Sequence, residues 1–291
     1  MISPFTLHRK DDLKDAVALL ASHGEDVKVL AGGSELILLL KMGLVAPGHL
    51  VDITGIRGLS DVEFDDTSNC LRIGGLVTHR ALESSVLVQK HFPLLAEMER
   101  SVANVRVRNI GTLAGNLCFA DPHSDPATLL LAYDARIQTL GAGGKRGLNI
   151  SDFFVDYYTT ALEQSEILTC IEVPRLEDRF SRNYQRFCPG ERPSVTVATL
   201  VRWDGNTCGE ARLALGCVGP TPIRATEVEI SLKGRSAKEV LSVAQEAGER
   251  AAILCDPLED IWGSAEYKRH IVMTLVSQGL SQLSQERSAK G

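Results

Sequence analysis

Two stretches of this chain carry glycines where a main chain could close on a phosphate. The first is Lys28-Val29-Leu30-Ala31-Gly32-Gly33-Ser34-Glu35-Leu36, a short apolar run ending at paired glycines. It predicts a buried strand over Val27–Leu30, a turn, and a helix over Glu35–Met42 capped by Ser34. Glycine pairs admit positive φ and lack the Cβ that would hold a ligand off the main chain. A helix start just beyond them offers unpaired N–H groups and a positive dipole end, which suits a pyrophosphate. The second stretch is Asn109-Ile110-Gly111-Thr112-Leu113-Ala114-Gly115-Asn116, with small residues at 111, 114 and 115 and donors at Thr112 and Asn116. It reads as a loop. Either stretch alone would pass for an ordinary turn, but converging they would clasp one phosphate group from both sides.

Other chemistry-bearing residue types are not grouped in this way. Asp125-Pro126 reads as a helix start with Asp125 as its cap. Asp121-Pro122 and His123 read as turn residues. The seven histidines (8, 23, 49, 79, 91, 123 and 270) are scattered and read as surface or capping residues. Neither G-x-S-x-G nor H-E-x-x-H occurs. Gly141-Ala142-Gly143-Gly144-Lys145 lacks the Lys-Ser/Thr pair and following helix of a phosphate loop, so it reads as a turn. Seven cysteines without C-x-x-C spacing argue against a disulfide framework, a zinc site or an iron–sulfur site. They are expected to be reduced and mostly buried thiols.

Ala31-Gly32-Gly33-Ser34-Glu35-Leu36, Thr112-Leu113-Ala114-Gly115-Asn116 and Ala120-Asp121-Pro122-His123-Ser124-Asp125, in that order, resemble the FAD-binding subunit of molybdenum hydroxylases. That group includes the medium subunit of carbon monoxide dehydrogenase and the flavin domain of xanthine dehydrogenase. Leu213–Glu227 and Gly263-Ser264-Ala265-Glu266-Tyr267-Lys268-Arg269-His270 are similar to the same family, so the resemblance covers nearly the whole chain. It implies a non-covalent FAD held by Val29 through Leu36 and Gly111 through Asn116, with Asp125 at the ribose or adenine side. It also implies main-chain contact to the isoalloxazine near Ile167-Leu168, and a cation in a Tyr-x-Lys pattern after Pro174. Tyr184-Gln185-Arg186 occupies that place, so Arg186 stands in for the Lys. Ala114 replaces a common glycine, and Arg192-Pro193 stands where many relatives have an Asp-aromatic pair packed on the ring.

The implied partners are a small chain with two [2Fe–2S] clusters and a large molybdopterin chain, in a dimer of heterotrimers. Electrons would pass from molybdenum through the clusters to the flavin and on to an external acceptor. The cysteine-rich insertion that carries an extra four-iron cluster in some relatives is absent from the sequence. A self-contained flavin-dependent oxidase or dehydrogenase, and a flavin-free scaffold subunit, are the rival readings.

At 291 residues the chain exceeds one typical core, so two or three compact units are expected. Apolar residues make up 44%, and apolar runs such as Leu36–Leu40 are far too short to span a membrane. No basic region with a long apolar core opens the chain, which fits a cytoplasmic protein. A net charge of −6 argues against a nucleic-acid backbone as ligand.

The elements that must position the two glycine stretches follow from periodicity. A strand near Phe5 leads to a helix with Leu13, Ala16, Val17 and Leu20 on one stripe. Strand Val27–Leu30, a helix stopped at Gly43, and strand His49–Ile53 complete a small parallel βαβαβ unit. Its Gly32-Gly33 turn is expected at the carboxyl end of the middle strand, where open α/β sheets place ligands. After Gly55 the pattern becomes mixed. Strands are expected at Leu71–Ile73, Val77, Arg136–Leu140 and Ile167–Val173, with helices after Thr78, at Pro93–Val102 and at Asp125–Tyr133. Further on, Val195–Trp203 and Ala211–Val218 read as a hairpin, followed by helices Ser236–Ala252 and Ala265–Leu283. The polar residues Gln285–Gly291 read as frayed. The expected fold is α+β. A two-subdomain flavin-binding unit (1–55, small and parallel; 56–176, mixed) holds the cofactor between its parts. A sheet-plus-helices domain of the CO dehydrogenase flavoprotein type (177–291) follows.

Overall fold

The computed structural model describes residues 2–290, the side chain of Lys290 excepted. Strands β1 (Thr6–Arg9), β2 (Val27–Leu30) and β3 (His49–Asp52) alternate with helices α1 (Leu13–His23) and α2 (Leu36–Met42). The Asp12 carboxylate caps α1 by accepting from the N–H groups of Lys14 and Asp15. Ala16, Val17 and Leu20 on α1 are buried. Gly43, at φ 71°, ends α2 in the left-handed region.

The three strands are parallel in the order β1-β3-β2. The Gly32-Gly33 turn therefore leaves an edge strand, not the middle one. Burial explains the order. Leu50 and Val51 of β3 are covered on both faces, whereas β2 carries exposed Lys28. The expected Ser34 cap does not form either. The N-cap position of α2 falls on Glu35, in helical backbone and without a side-chain capping bond.

Next come β4 (Val62–Asp65), β5 (Cys70–Gly74), α3 (His79–Ser84), α4 (Val86–His91), α5 (Pro93–Ser101), α6 (Val105–Ile110) and α7 (Leu113–Phe119). Thr78 caps α3 by accepting from Ala81 N–H, as expected, but Val77 lies outside any strand. Residues 109–116 are not a loop. They are the end of α6, a two-residue link at Gly111-Thr112, and the start of α7. Thr112 Oγ1 accepts from Gly115 N–H at 2.9 Å, and buried Leu113 and Leu117 tie α7 to the core.

After α8 (Asp125–Ala132) come β6 (Arg136–Gly141), β7 (Gly144–Asn149), α9 (Ile150–Phe153), β8 (Phe154–Asp156), β9 (Thr159–Thr160) and β10 (Ile167–Pro174). Strands β4-β5-β10-β6-β7 form a five-stranded antiparallel sheet, and β6 and β7 make a hairpin around 142–143.

The remaining chain is β11 (Phe180–Phe187), β12 (Val195–Asp204), β13 (Thr207–Gly216), β14 (Ile223–Arg224), α10 (Thr226–Leu232), α11 (Ala237–Ser242), α12 (Ala244–Ile253) and α13 (Ala265–Lys290). The four strands form an antiparallel sheet in sequence order. Val195, Val197, Val201 and Trp203 of β12 share a core with Val272, Val276 and Leu280 of α13. Any side chain at Gly248 of α12 would strike the Met273 carbonyl of α13, so these two helices approach main chain to main chain. The expected helix Ser236–Ala252 is broken at Val243. Residues 285–290 are helical rather than frayed, because Leu283 and Ser284 are buried; Gly291 lies outside the described residues.

The fold is α+β. It divides into two compact units, one of Met1–Phe119, Ala135–Phe153 and Thr159–Pro174, the other of Ala120–Asp134, Phe154–Tyr158 and Arg175–Gly291. Helix α8, read from sequence as part of 56–176, thus belongs to the second unit.

Candidate functional site

In the first unit the two glycine stretches lie back to back. A Cβ on Gly32 would overlap the Ile110 carbonyl oxygen and stand 2.9 Å from Gly111 Cα, so only glycine lets these main chains meet. Gly33 has φ +70°, the left-handed region. Ser34 Oγ lies 3.3 Å from where a Gly111 Cβ would stand. The N–H groups of Gly32, Gly33, Ser34 and Thr112 find no acceptor among the described residues. Helix α2 has seven residues, so an anion placed here would meet these N–H groups rather than a long helix dipole.

The other sequence candidates are placed as follows. Val29 and Leu30 end β2, and Leu30 Cδ1 packs beneath Gly33. Glu35 and Leu36 open α2. Leu113 and Ala114 are buried in α7 and offer main chain only; Gly115 and Asn116 follow in the same helix. Buried Leu168 sits at a bulge of β10, and Gly75 N–H donates to the next carbonyl, Thr169 O, at 2.9 Å.

The second unit holds Asp125 and Arg186. Ser124 takes the N-cap position of α8 and Asp125 is the first helical residue, so Asp125 is not the cap. Its carboxylate is 4% exposed as a side chain, and Arg186 Nε lies 3.3 Å away. Tyr184 Oη donates to Asp125 Oδ1 at 2.8 Å. Tyr184 and Arg186 stand two apart on β11, hence on one face. Burial, together with the Asp125 charge, holds the Tyr184 phenol well above its ordinary pKa. Because Asp125 and Arg186 touch, they cannot address opposite ends of an extended dinucleotide, as the sequence reading had them. They form one cluster.

Nearby in the same unit, Arg192 pairs with Asp121. His123 N–H donates to Asp121 Oδ1 at 2.9 Å, and His123 Nε2 lies 3.3 Å from Asp260. Burial pushes the Asp121 carboxyl up, but His123 and Arg192 outweigh it and leave it below the usual range. Lys268, 1% exposed, donates to Asp260 Oδ2 at 2.6 Å.

Two arrangements were missed in the sequence. His79 is 2% exposed, not on the surface, with Nδ1 2.6 Å from wholly buried Glu99. The signal was available: Glu99 falls four residues after Leu95, on the apolar stripe of α5. His8, His23 and His49 also come together, with His8 Nε2 3.0 Å from His49 Nδ1 and the His23 and His49 rings 4.0 Å apart. Among the described residues no group of three or more side chains is arranged to hold a metal ion, and no helix is long and apolar enough to cross a membrane.

Comparison with known proteins extends this picture. The family described as the FAD binding domain in molybdopterin dehydrogenase matches residues 3–176. The CO dehydrogenase flavoprotein C-terminal domain matches residues 185–283. The chain is 33% identical to the carbon monoxide dehydrogenase medium chain of Hydrogenophaga pseudoflava, over 97% of this chain and 98% of that one. It is 30% identical to the glyceraldehyde dehydrogenase medium chain of Sulfolobus acidocaldarius, over 96% and 98%. Among solved structures, carbon monoxide dehydrogenase from Hydrogenophaga pseudoflava lacking the Mo-pyranopterin moiety matches with a TM-score of 0.93 and 31% identity. That match covers 99% of both chains.

Proposed function

The chain belongs to the FAD-binding subunits of molybdenum hydroxylase-type dehydrogenases, and on that footing we propose that it passes electrons from iron–sulfur clusters of a partner chain, through non-covalent FAD, to an external acceptor. The observation that carries the cofactor assignment is the Gly32–Ile110 main-chain contact with its four unclaimed N–H groups. Val29 through Leu36 and Gly111 through Asn116 hold the pyrophosphate there. Asp125, Arg186 and the main chain at Leu168 serve the isoalloxazine. Arg186 offsets negative charge on the reduced ring, and Asp125 fixes the guanidinium.

When bound, the flavin supplies the redox chemistry, and the chain supplies binding and electrostatics. The glycine turns and Leu168 fall in 1–55 and 56–176, and 177–291 completes the subunit and contributes Arg186. A small [2Fe–2S] chain and a large molybdopterin chain are its partners, in a dimer of heterotrimers in the cytoplasm. Relatives named for carbon monoxide and for glyceraldehyde share this kind of chain, which supports placing the substrate pocket on another subunit.

The test follows the flavin absorbance of the purified, FAD-loaded chain under anaerobic conditions. Hydroxylase substrates should leave the band intact with the chain alone and bleach it in the reconstituted complex. Bleaching without partners would favour the self-contained oxidase. A chain that binds no flavin would leave only the scaffold reading.

A further inference from the structure

Beneath the second glycine turn lies a buried acid–imidazole pair. His79 opens α3 and Glu99 lies in α5, with Nδ1 2.6 Å from Oε2. With Glu99 as carboxylate, which only accepts, Nδ1 would be the donor of this bond. Two main-chain hydrogen bonds join the start of α3 to the turn. His79 N–H donates to Gly111 O at 3.0 Å and Leu113 N–H donates to Val77 O at 3.1 Å, which together pair Thr78 with Thr112 in a one-residue antiparallel bridge. The imidazole Cδ2 stands 3.4 Å from where a Gly111 Cβ would be, so the ring edge lies against the turn. Glu99 Oε1 is buried and finds no partner among the described residues. A half-satisfied buried carboxylate is costly as mere packing.

We propose that His79 and Glu99 are positioning residues for the cofactor site. Glu99 fixes the imidazole. The imidazole edge and the His79 main-chain N–H then hold Gly111-Thr112 against Gly32, with Thr112 N–H turned outward. This inference rests on the flavin reading above.

The experiment titrates FAD into the flavin-stripped, full-length chain and melts the same apo-protein in parallel. Removing one partner would strand the other in the core, so the main variant replaces both: His79→Leu with Glu99→Met. Exchanging a buried polar pair for apolar residues often leaves stability unchanged. The expected result is an FAD Kd raised about tenfold or more, the scale on which supporting partners of a bound group act, with apo melting near wild type. Glu99→Gln, which still accepts from Nδ1–H, should stay within about threefold on the same reasoning. Unchanged FAD affinity in a well-folded double variant overturns the proposal. If that variant does not fold, His79→Asn decides. It keeps a donor for Glu99 but lacks the ring edge, and an unchanged Kd there overturns the proposal equally. Wild-type protein that binds no FAD sinks the flavin reading and this inference together, whereas equal binding by wild type and variants sinks this inference alone.

Discussion

At Gly32 one methyl group decides whether two main chains can meet. Gly32→Ala would drive Cβ into the Ile110 carbonyl, which is backbone and cannot swing aside. Overpacking of this kind costs about 1–3 kcal/mol, and here it also parts the two sets of N–H donors. The variant should emerge from desalting with little flavin and a lowered melting temperature, and full flavin occupancy would show that the turns are not the clasp. Asp125→Ala acts differently, because it removes the carboxylate that accepts from Tyr184 Oη and pairs with the Arg186 guanidinium. A loss of about 1–3 kcal/mol is expected. Melting with and without added FAD separates weaker binding from a weaker fold. The need for glycine at 32 and 33 was legible in the sequence, but the two reasons were not. Gly33 answers a positive φ, whereas Gly32 answers a close approach from residues 78 positions further along, which no local pattern records. The partner of Asp125 was hidden in the same way, since Arg186 reaches it only through the pairing of distant elements.

Among elements, those with a period or strong local chemistry were readable. The α1 stripe and the Gly43 stop form where the pattern puts them, and the β12–β13 hairpin forms with its second strand starting at Thr207 rather than Ala211. Helices α6 and α7 escaped because six or seven residues are too few to show a period or to stand alone. Burial of Leu113 and Leu117 makes α7 a helix. Strand β7 is hidden by its glycines, and its pairing with β6 overrides that propensity.

The meeting of β1, β3 and the end of α1 brings His8, His49 and His23 together, with a consequence for pH. Burial, then His49, His23 and Lys10, lower the His8 pKa below its ordinary 6.5. Its stabilising contribution is therefore complete above the unfolded value. It is lost as pH falls through the lower folded one. Amide protection factors in β1 and β3, with the intrinsic pH dependence of exchange divided out, should fall on acidification below about 6.5, the ordinary value for histidine. His8→Gln should flatten that response, and wild-type protection indifferent to pH would count against it.

For the whole molecule, composition and length foretold more than one core, and the family motifs foretold the fold. What a linear reading could not foretell is the order in which the chain visits its two units. It enters the second at Ala120, returns to the first at Ala135, and goes back and forth again before Arg175. Neither unit is a continuous segment, so synthesis cannot finish one before starting the other. All eight residues of α8 are buried, yet the strands it packs on, β12 and β13, are made more than 60 residues later. Until then the strands that cover its run of leucines do not exist. A fragment ending at residue 176, the boundary that motif matching suggests, should therefore aggregate or bind a hydrophobic dye, and one with Leu129, Leu130 and Leu131 made polar should do so less. Light scattering of the two fragments checks this. The nascent chain should therefore depend on a chaperone's shelter from the synthesis of α8 until β13 follows, a wait that begins just after its second cofactor turn has been made.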